Sequence, residues 1–227
     1  ERVGTNGDVR RARDLYRALD GQVDCLGIGG AVLTFQALDR SYEMHAVRRM
    51  ISCVQQTPVV DGLGFKDVVE RRIAGFILRH LGHALQHKSV LVTSAVDRLG
   101  LATSFAESGF SLILGDLMFA LGIPLPLRSL QGLNRLAHLI GPLVSLMPMS
   151  MVYPSGTRED FNRPRYARWF AAAEVIAGDC NYITRNMPLD MRGKVIATNT
   201  TTARDMALFA ERGVSYVVTS TPRLGTR

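Results

Sequence analysis

The sequence contains few cysteines and none of the short motifs that mark serine hydrolases, P-loop nucleoside triphosphatases and thioredoxin-like proteins. Its three cysteines, Cys25, Cys53 and Cys180, are odd in number and widely spaced, so they predict neither a disulfide framework nor a paired metal-ligand motif. We therefore expect a reducing compartment, most simply the cytoplasm. The chain also has no G-x-S-x-G elbow, no P-loop and no C-x-x-C, which argues against the serine-hydrolase, P-loop and thioredoxin classes.

The chain also lacks an unbroken apolar run of the ~20 residues that a membrane-spanning helix needs. Its uncharged stretch at 136–156 is interrupted by Gly141 and by three prolines, and it contains His138. We interpret this stretch as buried helix and loop, or as a subunit interface in a possible homodimer. We expect no membrane contact.

The net charge of +7 is not concentrated in one patch. A basic surface attracts nucleic acid, anionic lipid or phosphorylated metabolites. The arginines stand in short groups, at 10–13, 71–72 and 163–168, and aromatic residues are not interleaved with them as they are in RNA-binding proteins. We therefore expect a small-molecule ligand and no nucleic acid, and keep a basic interaction module as an alternative.

What the sequence does have is a series of apolar segments that end in small polar residues. These segments are 89–94, 111–116, 175–179, 194–202 and 215–222. Continuous apolar runs are typical of strands buried on both faces, and their alternation with helical segments indicates a parallel sheet covered by helices. We predict an α/β protein in which a smaller α/β unit (1–88) precedes a Rossmann-like domain with a parallel sheet (89–227).

Ligands of such sheets bind beyond the carboxyl ends of the strands, where this chain carries polar residues. Thr202 followed three residues later by Asp205 predicts a capping box, which leaves the neighbouring polar residues available to a ligand. Arg223 has the charge to bind a carboxylate or a phosphate. The predicted substrate-binding residues are Asn199, Thr201, Thr219 and Arg223.

The segment 90–116 has the layout of a dinucleotide-binding βαβ unit, with a helix opening at Gly100 and an acid, Asp116, that could bind a ribose hydroxyl. Aligned on Gly100, the G-x-G-x-x-G fingerprint reads A-V-D-R-L-G. Asp97 places a negative charge where a pyrophosphate would approach the backbone, whereas Arg98 could offset that charge by binding phosphate. Two hypotheses stay open here: a dinucleotide held by Asp97, Arg98, Gly100 and Asp116, and a polar ligand without phosphate.

The loop from Asp61 to Lys66 contains two glycines and lies between a predicted strand and a predicted helix over 65–86. The positive end of the helix dipole disfavours a lysine at the start of a helix. This unfavourable position makes Lys66 a functional candidate. A lysine beside a carboxylate can relay a proton to a hydroxyl or a carbonyl. We predict Lys66 and Asp61 as the catalytic pair.

Three histidines of the same predicted helix, His80, His83 and His87, share one face by their spacing. The helix has no H-E-x-x-H pattern, so we interpret them as a basic helix end and predict no metal site.

Six short runs carry a resemblance that extends over nearly the whole chain. They are G-T-N-G-D (4–8), T-P-V-V-D-G (57–62), V-T-S-A-V-D-R-L-G (92–100), G-D-L-M-F-A-L-G-I-P (115–124), I-A-G-D-C-N-Y-I (176–183) and T-N-T-T-T (198–202). They resemble a bacterial family that carries the name quinate 5-dehydrogenase. The resemblance implies the architecture of shikimate and quinate dehydrogenases, in which a substrate unit precedes a nucleotide-binding domain. In those enzymes a lysine opens a helix after a strand, a place comparable to that of Lys66.

The βαβ layout and the resemblance together predict an NAD(P)-linked oxidoreductase, with NAD or NADP as cofactor. Its substrate would be a small hydroxylated carboxylic acid of the quinate or shikimate type. The missing glycines and Asp97 motivate the alternative, a non-redox enzyme or sensor that binds a small polar metabolite at the carboxyl edge of the sheet.

Overall fold

The computed structural model describes residues 3–152 and 162–221, in which strands and helices alternate along most of the chain. The first elements in chain order are α1 (Val9–Leu19), β1 (Leu26–Gly27), β2 (Thr34–Gln36), β3 (Ser41–Glu43), α2 (His45–Ile51), β4 (Val59–Val60), α3 (Leu63–Glu70) and α4 (Ile73–Leu81). After a 3-10 turn at Gly82–Ala84 follow β5 (Ser89–Val92), α5 (Leu99–Glu107), β6 (Ser111–Leu114), α6 (Asp116–Phe119), α7 (Leu130–Leu146), α8 (Met149–Val152), α9 (Ala167–Ala172), β7 (Val175–Ala177), α10 (Cys180–Asn186), β8 (Val195–Thr198), α11 (Ala203–Glu211) and β9 (Tyr216–Thr219).

The chain divides into two compact units. The N-terminal unit comprises Glu1–Gly64 and Leu136–Glu159, and the C-terminal unit comprises Phe65–Arg135 and Asp160–Arg227. This division differs from the predicted boundary at residue 88. The reason lies in α4, because Ile73, Ala74 and Ile77 of that helix are buried in the core that covers the parallel sheet.

The C-terminal unit is built on a five-stranded sheet in which all strand pairs are parallel, as the apolar runs predicted. The strands lie in the spatial order β6-β5-β7-β8-β9. Counted within the sheet this is the order 2-1-3-4-5, which is common among doubly wound sheets. The order reverses between β5 and β7, and in doubly wound sheets the crevice at this switch point is the usual place for a ligand.

Both faces of this sheet are covered by helices, which explains the continuous apolar runs. Val90 and Val92 of β5 face one core, which includes Phe105 of α5. Leu91 between them faces the other core, which includes Phe170 of α9. All three β5 residues are fully buried, and burial of each such side chain contributes ~1.5–3 kcal/mol to folding.

The N-terminal unit combines helices with two short pairs of strands. β1 and β4 pair in parallel, and β2 and β3 form an antiparallel hairpin. Its core gathers buried side chains of the segment before β2, of the residue that precedes α2 and of α2 itself, among them Ile28, Met44 and Val47. No helix in the two described ranges is long and apolar enough to span a membrane.

The prediction of one helix over 65–86 is wrong, because the helix is interrupted between Glu70 and Ile73. Ser104 of α5 fills the break: its hydroxyl donates to the carbonyl oxygen of Arg71 at 2.9 Å and accepts the N–H of Ala74 at 3.1 Å. A side chain from another helix thus satisfies the backbone groups that the break leaves without helical partners.

Candidate functional site

The candidate site lies at the carboxyl edge of the C-terminal sheet, at the switch point between β5 and β7. The turn 93–98 follows β5, and Gly178 with Asp179 follows β7. Gly178 has a φ of +143°, and a Cβ on it would lie 2.2 Å from Oγ1 of Thr93. Since no other side chain fits there, glycine allows the ends of the two strands to approach each other closely.

Arg98, at the end of this turn, is buried and forms an ion-pair network. Its Nη1 donates to Oε1 of Glu70 at 2.7 Å, and its Nη2 donates to Oδ2 of Asp179 at 2.9 Å. Its Nε lies 3.4 Å from Oδ2 of Asp97. Burial alone would lower the pKa of Arg98, but the three carboxylates raise it above its usual value. Arg98 thus joins α3, the β5 turn and the β7 tip, instead of presenting a free guanidinium to a phosphate.

Glu70 is the most deeply buried partner of Arg98, with 2% of its surface exposed. Burial raises the pKa of Glu70, whereas the guanidinium of Arg98 opposes that rise. A buried carboxylate of this kind depends on its cation, because neither ion is solvated by water.

Lys66 contacts the same turn. Its Nζ donates to the backbone carbonyl oxygen of Asp97 at 2.6 Å and lies 3.4 Å from Oδ1 of that residue. The carboxylate beside Lys66 in the C-terminal unit is therefore Asp97.

Asp61, the predicted catalytic partner of Lys66, lies in the N-terminal unit, where backbone amides occupy both of its oxygens. Oδ1 accepts the N–H of Leu63 at 3.0 Å, and Oδ2 accepts the N–H of Leu33 at 2.8 Å. These bonds begin α3 and fix the loop before β2.

Asp116 follows β6 and is the most perturbed acid of the site. Its Oδ1 accepts the N–H of Val96 at 2.8 Å, while its Oδ2 is buried and has no hydrogen-bond partner. Burial raises the pKa of Asp116 to about 6, against the effect of the Val96 N–H, and the charge of Asp97 adds to the rise. A carboxyl group with this pKa exchanges a proton close to neutral pH.

Two buried polar atoms without a hydrogen-bond partner belong to this turn or contact it, Oγ of Ser94 and Oδ2 of Asp116, and Nε of Arg98 has only its ion-pair contact with Asp97 at 3.4 Å. Buried polar atoms normally have partners, since an unsatisfied one costs roughly 1–3 kcal/mol. Their concentration around a single turn indicates a place where a ligand or water supplies the missing bonds.

Tyr182 is a candidate that sequence reasoning missed. It lies in the first turn of α10 with 41% of its surface exposed. Burial raises its pKa, and the charges of Asp97, Asp179 and Asp116 raise it further. Its position three residues after Asp179, in the helix turn that follows a strand tip, is the signal that could have identified it.

The predicted substrate-binding residues are only partly free. Both polar atoms of the Asn199 amide have partners: Nδ2 donates to Oδ2 of Asp179 at 2.9 Å, and Oδ1 accepts the N–H of Cys180 at 3.1 Å and the hydroxyl of Thr198 at 3.1 Å. Thr201 is half-buried between β8 and α11.

Thr219 is exposed at the end of β9, and Arg223 lies outside the described residues. Gly100, a predicted cofactor residue, has a packing role. A Cβ there would lie 2.6 Å from Oδ1 of Asp67 and 3.1 Å from its carbonyl oxygen, so glycine allows α5 to approach α3.

Two other groups are unsuited to catalysis. Burial raises the pKa of the Cys180 thiol to about 12, so it is not a thiolate nucleophile. Within the described ranges, no group of three His, Cys, Asp or Glu side chains is arranged to hold a metal ion. His80 lies in the last turn of α4, whereas His83 lies in the 3-10 turn and His87 in the loop after it.

The charges of the site determine the kind of ligand that it suits. Its charged residues are Lys66, Glu70, Arg98, Asp97, Asp116 and Asp179. Two cations face four carboxyl groups, so the network is negative when all four are ionised. An excess of negative charge disfavours a pyrophosphate and favours the hydroxyl or ammonium donors of a small polar molecule.

No curated protein and no solved structure matches this chain. A family model described as a domain of unknown function, DUF8753, matches residues 1–61, and a second one, described as DUF8754, matches residues 64–227. The junction between the two matches, between residues 61 and 64, lies next to the first point of division between the two units, which follows Gly64. Because the second match covers more than half of the chain, the protein belongs to the DUF8754 family, and the DUF8753 model matches the residues before that domain.

Proposed function

We propose that the C-terminal unit binds a small polar metabolite at the carboxyl edge of its sheet, at the switch point between β5 and β7. The observation that carries this proposal is the buried Oδ2 of Asp116, which has no partner although it ends a strand beside the switch point. A hydroxyl or ammonium group of the ligand would donate to it. Asp97, which is exposed at the end of the same turn, would accept a second donor.

The same residues support proton transfer. Asp116, with a pKa of about 6, loses its proton near neutral pH and can act as a base. Tyr182, whose raised pKa keeps it protonated, can act as an acid or as a hydrogen-bond donor. Near neutral pH one group can then accept a proton and the other can donate one, which favours an acid–base enzyme. A sensor would use the same donors and acceptors without turnover.

A thermal-shift comparison tests the proposal with polyols, hydroxy acids and amino alcohols. A ligand at 100 times its dissociation constant adds ~2.7 kcal/mol of stability. We expect stabilisation of the wild type, loss of that stabilisation in Asp116→Asn, and its retention in Asp190→Asn, which changes an exposed carboxylate of the same unit. Equal stabilisation of the wild type and Asp116→Asn would contradict the assignment.

The second candidate is an NAD(P)-linked oxidoreductase with a Rossmann-like domain, acting on a hydroxylated acid of the quinate or shikimate type. It is favoured by Asp116, which follows β6 as a ribose-binding acid follows the second strand of a dinucleotide-binding unit. In this candidate Lys66 would transfer the proton. The engagement of Arg98 by Glu70 and Asp179 weighs against it, because the turn then has no free cation for the pyrophosphate.

Calorimetric titration with NAD⁺, NADP⁺ and their reduced forms separates the two candidates. Dinucleotide binding that Asp116→Asn weakens would favour the oxidoreductase. Its absence, together with stabilisation by a metabolite alone, would favour the non-redox site. The homodimer and the cytoplasmic location stay predictions.

A further inference from the structure

A second group of reactive side chains lies entirely within the N-terminal unit, apart from the site proposed above. Tyr42 on β3, His138 on α7 and Asp39 in the β2–β3 turn form a continuous chain of hydrogen bonds. The hydroxyl of Tyr42 lies 3.0 Å from Nδ1 of His138, and Nε2 of His138 lies 2.8 Å from Oδ1 of Asp39.

The geometry of this chain determines the direction in which protons are donated. A carboxylate only accepts, so the imidazole proton belongs on Nε2, which faces Asp39. Nδ1 then has a free lone pair and accepts the hydroxyl proton of Tyr42. The order hydroxyl, imidazole, carboxylate is the one by which a histidine activates a hydroxyl nucleophile, with the carboxylate fixing the tautomer and stabilising the imidazolium.

The ring of Tyr42 is held in place by its neighbours. A Cβ on Gly141 would lie 2.5 Å from Cε2 of Tyr42, so the ring lies directly against the backbone of α7. Phe35 packs against it from β2, with ring centroids 6.2 Å apart. This close packing fixes the direction of the hydroxyl, as nucleophilic catalysis requires.

The guanidinium carbon of Arg40 lies 5.6 Å from the centroid of the Tyr42 ring. A guanidinium at this position attracts an anionic group of a ligand. His138 is partly accessible, with 35% of its side chain exposed, and Asp39 is more exposed, at 66%. Tyr42 itself is half-buried, so the imidazole and the carboxylate are the parts of the group most open to a molecule from solvent.

We propose that Tyr42 is an activated nucleophile for a small carboxylic ester that carries a negative charge. The bond between Oη of Tyr42 and the acyl carbon forms while the ester's bond to its alcohol breaks. The phenolic proton passes to Nδ1 of His138 and then to the departing alkoxide. Water releases the acyl group from Tyr42 by the reverse use of His138. Asp39 is a positioning residue.

Labelling of the full chain with an anionic aryl sulfonyl fluoride, 4-(fluorosulfonyl)benzoate, tests this proposal. The reagent forms an S–O bond to an activated tyrosine and releases fluoride, and peptide mass spectrometry locates the label. Tyr16 is the internal control, because its hydroxyl donates to the carbonyl oxygen of Gly27 at 3.2 Å and is not next to an imidazole. We expect Tyr42 to react at least about tenfold faster than Tyr16. General base catalysis typically contributes about 10²–10⁴-fold, so this threshold lies below its usual range.

Three variants sharpen the result. His138→Gln should reduce the labelling of Tyr42 to the rate of Tyr16, and Arg40→Gln should remove the preference for the anionic reagent over neutral phenylmethanesulfonyl fluoride. Asp39→Asn should shift the ¹⁵N resonances of His138 away from the Nε2–H tautomer and slow the labelling of Tyr42. The slower labelling is the change that a merely structural contact would not produce.

Equal labelling of Tyr42 and Tyr16 in the wild type would overturn the proposal. So would labelling that His138→Gln leaves unchanged. The wild-type comparison needs no variant, so it is decisive even if a substitution impairs folding. The assay also uses no ligand of the C-terminal unit, so its outcome is independent of the function proposed there.

Discussion

Two arginine–carboxylate pairs of the C-terminal unit have the same length and very different surroundings. Arg98 and Glu70 lie 2.7 Å apart with side chains 9% and 3% exposed. Arg192 and Asp190 also lie 2.7 Å apart, but their side chains are 81% and 60% exposed. The first pair anchors the turn after β5, whereas the second joins residues two positions apart in a loop. Distance alone therefore does not measure the contribution of an ion pair.

The buried pair should produce the largest effect. Glu70→Ala leaves the guanidinium of Arg98 buried with Asp179 and Asp97 as its remaining partners. Removal of one partner of a buried ion pair costs about 3–5 kcal/mol, because the other charge loses its compensation. We expect a loss of that order in the free energy of unfolding, measured by urea denaturation. A loss below ~1 kcal/mol would mean that the pair behaves as an exposed one.

Asp116 should give a pH dependence of nearly the same size. Its pKa of about 6 in the folded state exceeds the ~3.9 of an unfolded chain, so the folded state binds more protons between these values. The free energy of unfolding should therefore fall as pH rises from ~4 to ~6, by roughly 3 kcal/mol in total, and then level off.

Asp116→Asn is the matched control for this dependence, since asparagine does not titrate. The difference in unfolding free energy between wild type and variant, measured from pH 4 to 8, should show the predicted fall. A difference that stays constant over this range would contradict the raised pKa.

Gly178→Ala should have a smaller effect, which measures how closely the tips of β5 and β7 must approach. The new Cβ would lie 2.2 Å from Oγ1 of Thr93, and the φ of +143° is unfavourable for alanine. We expect a loss of ~1–3 kcal/mol in unfolding free energy. Two double variants serve as controls. Gly178→Ala combined with Thr93→Ser keeps the clash with the hydroxyl oxygen, whereas Gly178→Ala combined with Thr93→Ala should recover part of the lost unfolding free energy.

The exposed pair should produce the smallest effect. Asp190→Asn removes a carboxylate whose pKa is lowered to about 2 by the hydrogen bonds from Arg192. Water replaces these bonds easily, so the melting temperature should not change measurably. A clear fall in the melting temperature on this substitution would show that burial does not explain the difference between this pair and the pair of Arg98 and Glu70.

The sequence predicted the parts of the fold that depend on neighbouring residues. The apolar run 89–94 contains β5, and Thr202 with Asp205 forms the capping box that their spacing indicates. Such features are local, because strand burial and helix capping are decided within a few residues.

The partners of the site residues could not be predicted in the same way. Arg98 is paired with Glu70, 28 positions earlier, and with Asp179, 81 positions later. Only the order of the strands brings these residues together. The same limit explains why the sequence predicted neither the helix break after Glu70, which Ser104 of α5 bridges, nor the backbone bonds of Asp61.

The central claim is that Asp116 presents a buried oxygen without a partner to a ligand at the switch point of the sheet. The most direct measurement is a ¹³C NMR titration of its carboxyl carbon, alone and with the polar metabolite that stabilises the protein most. We predict a midpoint at about pH 6 that moves to lower pH when a donor of the ligand bonds to Oδ2. A midpoint near the ordinary value of ~3.9, unchanged by every metabolite, would contradict the claim.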